Sequence, residues 1–92
     1  MSDAIITFKI MPESPDIDLE KVKSEAMAIA KKHGSIGDMR TKEEPIAFGL
    51  KAVMVLAMYE IEGKKFDDIA DEIKTIEGVQ SAEVYKMDLA MG

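Results

Sequence analysis

Ninety-two residues suffice for one domain and are too few for two independent cores, and at this length folding buries roughly 60–65% of the surface the unfolded chain exposes, leaving little room for a deep internal active site. Apolar residues are 47% of the chain and charged residues 33%, the balance of a globular rather than a disordered protein. With 12 Lys and Arg against 18 Asp and Glu the net charge is −6, which argues against nucleic acid as the main partner, and the lack of cysteine excludes disulfides, thiolate nucleophiles and Cys-type metal sites.

The first apolar run, Ala4 to Met11, alternates with period two: Ile6, Phe8 and Ile10 point one way, Ile5, Thr7 and Lys9 the other, which predicts a strand. The run follows an acidic residue and contains Lys9, so no secretory leader is expected. Pro12, Ser14 and Pro15 end the strand. Asp16 and Asp18 are candidate N-caps for a helix whose buried face is Leu19, Val22, Ala26 and Ile29. Lys31, Lys32 and His33 suit the negative end of its dipole, and Gly34 its C-cap.

Asp38 to Glu44 predicts a second strand, whose charges fit an exposed sheet edge. Pro45 to Gly49 forms a bend. Leu50 to Tyr59 is a third strand, apolar on both faces and therefore central; it is too short to cross a membrane. Leu50, Ala52, Met54, Leu56 and Met58 are expected to face the helices, which would turn Val53, Val55 and Ala57 outward with Ile5 as a partly apolar open face. Such a face is either ordinary surface apolarity or a contact surface.

After a turn at Gly63, the stripe Phe66, Ile69, Ala70, Ile73 and Ile76 predicts a second helix, with Asp67, Asp68, Asp71 and Glu72 loading its first half. Gly78 ends it. Val79 to Asp88 is the last strand and Leu89 to Gly92 a short tail. The order βαββαβ, with right-handed crossovers, predicts an α+β ferredoxin-like sandwich: a four-stranded antiparallel sheet of order 4-1-3-2 with both helices on one face.

No catalytic constellation is visible, and function on this fold has to be argued from sites. His33 reads as a helix-terminal surface cation, Glu43–Glu44 as a solvated edge and Asp67–Asp68 as a helix start. There is no Gly-rich phosphate loop, no set of stacking aromatics for RNA, and no Arg in the 11–16 loop for acylphosphatase-like chemistry. No metal or cofactor is expected. Two features stand out. Ile46 and Phe48 sit in the Pro45–Gly49 bend, either as a lid on the core or as anchors for a protein contact. Leu89 and Met91 are apolar near the chain terminus, where fraying and docking on a partner are the alternatives.

MPESPDIDLEKVK at 11–23, EEPIAFGL at 43–50 and MDLAM at 87–91 resemble the archaeal elongation factor 1-beta family over essentially the whole chain. That family is similar to the C-terminal exchange domain of eukaryotic elongation factor 1-beta. The resemblance implies a single guanine-nucleotide exchange domain over residues 1–92, acting in the cytoplasm on elongation factor 1-alpha, the GTPase that delivers aminoacyl-tRNA to ribosomes. It implies no enzyme chemistry, no cofactor, no direct contact with nucleic acid or membrane, and a monomer when free. It also implies a contact site made of Pro45, Ile46, Ala47, Phe48 and Gly49, with Asp88, Leu89, Ala90, Met91 and Gly92 as an intruding end. Eukaryotic relatives carry a lysine close to the C-terminus that reaches the magnesium and phosphate region. Residues 88–92 contain none, and Lys86, within the predicted strand, is not assigned that role.

Two other classes make different predictions. A small-molecule-sensing ferredoxin-like module would place ligand residues between the first strand and first helix and would be a dimer. A non-specific RNA-binding domain would show salt-dependent affinity, against which the −6 charge argues.

Overall fold

The computed structural model describes residues 3–61, 63 and 65–89. Six elements follow in order: β1 (Asp3–Pro12), α1 (Leu19–Lys32), β2 (Ile36–Pro45), β3 (Lys51–Glu60), α2 (Phe66–Ile73) and β4 (Val79–Leu89). The strands form one antiparallel sheet of order β2-β3-β1-β4, the expected 4-1-3-2 order read from the other edge. This is the ferredoxin-like arrangement.

The alternation of β1 sets the core. Ala4, Ile6, Phe8 and Ile10 are fully buried under the helices, and burial of each larger side chain contributes about 1.5–3 kcal/mol. α1 starts at Asp18, whose carboxylate accepts hydrogen bonds from the backbone N–H groups of Glu20 (3.1 Å) and Lys21 (3.4 Å). Asp16 does not cap; its N–H donates to Ser14 Oγ at 3.3 Å. The inner face of α1 is Val22, Ala26 and Ala30, with Leu19 and Ile29 half-buried beside it. α2 buries Phe66, Ile69, Ala70 and Ile73, and its stripe continues to Ile76 through a terminal turn.

The faces of β3 are the reverse of the expectation. Val53, Val55, Ala57 and Tyr59 face the helices and join the core. Ala52, Met54, Leu56 and Met58 lie on the open face, and Leu50 precedes the strand. The register with β1 dictates this: Ile10 pairs with Val53, Phe8 with Val55, Ile6 with Ala57 and Ala4 with Tyr59, and paired residues share a face. Both sets are apolar, so hydrophobicity alone did not choose between them. The Tyr59 hydroxyl adds a further reason: on the helix side it donates a 2.8 Å hydrogen bond to the Ala30 carbonyl, and its ring packs 5.5 Å from that of Phe66. The open face consequently carries Ile5, Ala52, Met54, Leu56 and Met58 rather than Val53, Val55 and Ala57.

β2 is an edge strand, as expected, mostly exposed along its length. Its start is irregular, with a register shift between Ile36 and Arg40. At the other edge, β4 carries a bulge opposite Thr7 and Phe8 that leaves Tyr85 out of register. Its ring lies under Lys9 Nζ, 5.3 Å from the ring centre.

Candidate contact site

The bend between β2 and β3 is a tight turn with two backbone bonds. The Ile46 N–H donates to the Leu50 carbonyl and the Leu50 N–H to the Ala47 carbonyl, each at 2.9 Å. Its two central residues, Phe48 and Gly49, have φ of 55° and 79°. Consecutive positive φ values are the pattern of a type I′ hairpin turn, whose twist matches that of the flanking strands. Gly49 is suited to this. Phe48 is not: it is the one non-glycine residue with positive φ among the described residues, and the left-handed region disfavours a Cβ by roughly 1–2 kcal/mol.

Phe48 is also 97% exposed, and Ile46 is 43% exposed. Phe48 therefore does not fold back over the core, and the lid interpretation fails. Pro45 closes β2 opposite Lys51, so the turn projects directly from the end of the β2–β3 pair.

The second predicted patch lies elsewhere. Asp88 pairs with Ile5 and Leu89 with Ala4, at the start of β1, whereas the Phe48 turn precedes the segment of β3 that pairs with the end of β1. The Phe48 turn and the described part of the second patch, Asp88 and Leu89, thus occupy opposite ends of a molecule measuring 42 × 22 × 19 Å. Leu89 is 63% exposed, and Asp88 lies 3.6 Å from Lys86 in a surface ion pair. Ala90, Met91 and Gly92 lie outside the described residues.

Two of the charged groups singled out by the sequence, His33 and Glu43, have structural partners. His33 Nε2 lies 2.9 Å from Glu72 Oε1, and Lys32 pairs with the same carboxylate, so the end of α1 is tied to α2 rather than merely solvated. Lys32 first and His33 second hold the Glu72 carboxyl below its usual range. Glu43 accepts from Lys23 at 2.6 Å, which likewise lowers its pKa and pins β2 to α1. Among the described residues, no three His, Asp or Glu side chains group as metal ligands, and no helix is long and apolar enough to cross a membrane.

One neighbour of the turn escaped the sequence reading. The β1–α1 turn comes alongside it, and Pro12, Ser14, Pro15 and Leu19 share a shallow notch with Gly49 and Lys51. No local signal marks this proximity, because it joins residues thirty or more positions apart.

The molecule is thus of the ferredoxin-like class, and its most conspicuous surface feature is an aromatic held outward on a turn of positive φ. Comparison with known proteins makes this specific. Residues 5–89 match the model of the EF-1 guanine nucleotide exchange domain, and the chain belongs to that family. It is 42% identical to elongation factor 1-beta of Methanosphaerula palustris over 97% of this chain and 99% of that protein. It is 40% identical to the Methanosarcina barkeri protein of the same name, over 95% and 100% of the two chains, and 36% identical to that of Pyrococcus abyssi, over 91% and 93%.

Proposed function

We propose that this chain is a guanine-nucleotide exchange factor that promotes replacement of GDP by GTP on elongation factor 1-alpha in the cytoplasm during translation elongation. It acts as a monomeric binding partner, making and breaking no covalent bonds, and engages neither nucleic acid nor membrane directly. The observation that carries this reading is Phe48, fully exposed in a backbone conformation that disfavours its own side chain, within a chain of the exchange-domain family. Strain of this kind persists where binding gains from it. An aromatic at a rigid turn is also an efficient anchor, since little side-chain freedom is lost when it docks.

The physical requirement is linkage. A factor that binds the nucleotide-free GTPase more tightly than the GDP-bound form must weaken GDP by the same ratio. Each ~1.4 kcal/mol of that preference weakens the nucleotide tenfold. The partner's magnesium ion and phosphate-binding loop hold the nucleotide's charge, so they are the effective targets. In this reading Pro45–Gly49 grips one part of the GTPase while the segment 88–92, whose Asp88 and Leu89 lie at the other end of the sheet, approaches a second. Residues 88–92 contain no lysine, so either that segment acts by displacement or another group disturbs the magnesium and phosphate region.

Calorimetric titration of elongation factor 1-alpha with this protein tests the reading. Tighter binding to the nucleotide-free GTPase than to the GDP-bound form is expected. Equal affinities would leave no coupling and would defeat it.

A further inference from the structure

Three turns meet at the Phe48 end of the sheet. The β1–α1 turn is anchored on Gly78, at the start of β4: the Glu13 N–H donates to the Gly78 carbonyl at 2.9 Å. Ile17 packs so closely that a Cβ on Gly78 would lie 3.0 Å from its Cδ1 and Cγ2. Within the turn, the Ile17 N–H donates to the Ser14 carbonyl at 3.4 Å and the Asp16 N–H to Ser14 Oγ at 3.3 Å, while Pro12 is buried. Pro15 sits at the apex of this clamped segment. Its Cβ and Cγ lie 3.8 Å from the position a Cβ would take on Gly49, and among the described residues no other beyond the chain neighbours comes within 4 Å of that position.

We propose that Pro15 is a positioning residue for Phe48: its ring flanks Gly49 and limits the directions in which the turn presents the aromatic to a protein partner. A two-residue hairpin tip is otherwise held only by its own backbone bonds. Restricting it before docking reduces the ordering penalty of binding. The turn at 12–16 thus contributes to recognition without touching the partner, held at Gly78 by Glu13 and Ile17 and flanking Gly49 with Pro15. This rests on the exchange-factor reading for its functional consequence but not for its structural one.

The test compares Pro15→Gly with the wild type in two ways. Amide relaxation should show lower order at Phe48 and Gly49 in the variant, with the melting temperature little changed. In GDP release from elongation factor 1-alpha, the half-saturating concentration of the factor should rise about three- to tenfold, with the maximal rate retained. Pro15→Val, which restores bulk against Gly49, should recover most of that loss and covers the case in which the glycine variant folds poorly. In a Phe48→Ala background, Pro15→Gly should have no further effect. An equal loss in that background means Pro15 touches the partner itself, and unchanged order at Phe48 and Gly49 means it does not hold the turn; either overturns the proposal. If the wild type accelerates nothing, the exchange reading fails, while the relaxation comparison still decides whether Pro15 positions Phe48.

Discussion

Tyr59 on β3 donates its hydroxyl to the carbonyl of Ala30 on α1 across 2.8 Å, joining the sheet to the helix layer through a wholly buried side chain. The same carbonyl accepts the Ser35 N–H at 3.3 Å where the chain leaves α1. Tyr59→Phe should therefore destabilise the fold by about 1–2 kcal/mol, a lost buried hydrogen bond partly offset by the surviving one. Urea unfolding measures it. The pH dependence supplies a second signature. Burial pushes the Tyr59 phenol up to about 12, whereas the unfolded chain ionises near pH 10. The unfolded state then loses its proton first, so stability is intact below about pH 10 and falls as pH rises toward 12. The urea midpoint of the wild type should drop over that range, and Tyr59→Phe should lack the Tyr59 contribution to the drop.

At the acid end the sign is the opposite. Glu72, held down by Lys32 and His33, and Glu43, held down by Lys23, protonate in the folded state at lower pH than in the unfolded chain. Their contribution is present above the ordinary carboxylate range, about pH 4.3, and is lost as pH falls through it. Glu72→Gln and Glu43→Gln should each flatten the fall of melting temperature between about pH 5 and pH 2. Both pairs are at the surface, so the effect should be small and should shrink in high salt.

The Phe48 turn makes the sharpest prediction because stability and function should move in opposite directions. Asn-Gly is the favoured central pair of a type I′ turn, and Asn tolerates positive φ. Phe48→Asn should leave stability unchanged or raise it by up to about 1 kcal/mol, while slowing exchange by about tenfold or more. A loss of stability beyond 1 kcal/mol would mean that Phe48 packs on the fold after all.

Ending the chain at Asp88 tests the other patch. Leu89 pairs with Ala4 at the margin of the sheet and is mostly exposed, so the truncation should lower stability only slightly. Exchange should slow. An unchanged rate would remove residues 89–92 from the mechanism.

Much of the fold was legible in local pattern. The alternation of Ile6, Phe8 and Ile10 located the first central strand, Asp18 the start of α1, and the Phe66–Ile73 stripe the buried face of α2. The faces of β3 were not legible, because Ala52, Met54, Leu56 and Met58 are as apolar as Val53, Val55, Ala57 and Tyr59; the choice is made by pairing with β1 and by the need of the Tyr59 hydroxyl for a partner on α1. Phe48 was legible as an oddity but not as an exposed one. A Phe-Gly pair gives no strong hairpin signal, since the first central position of a type I′ turn favours Asn, Asp or Gly. The approach of Pro15 to Gly49 and the reach of Lys23 to Glu43 are products of topology, which brings together turns and elements distant in the chain.

The central claim is that this protein accelerates nucleotide exchange, and the most direct measurement is release of a fluorescent GDP analogue from archaeal elongation factor 1-alpha with the factor present in substoichiometric amount. Acceleration through many turnovers per molecule of factor is expected, because a partner that binds and leaves is not consumed. An unaltered release rate, with a folded factor and a GTPase from the same source that binds nucleotide, would contradict the account.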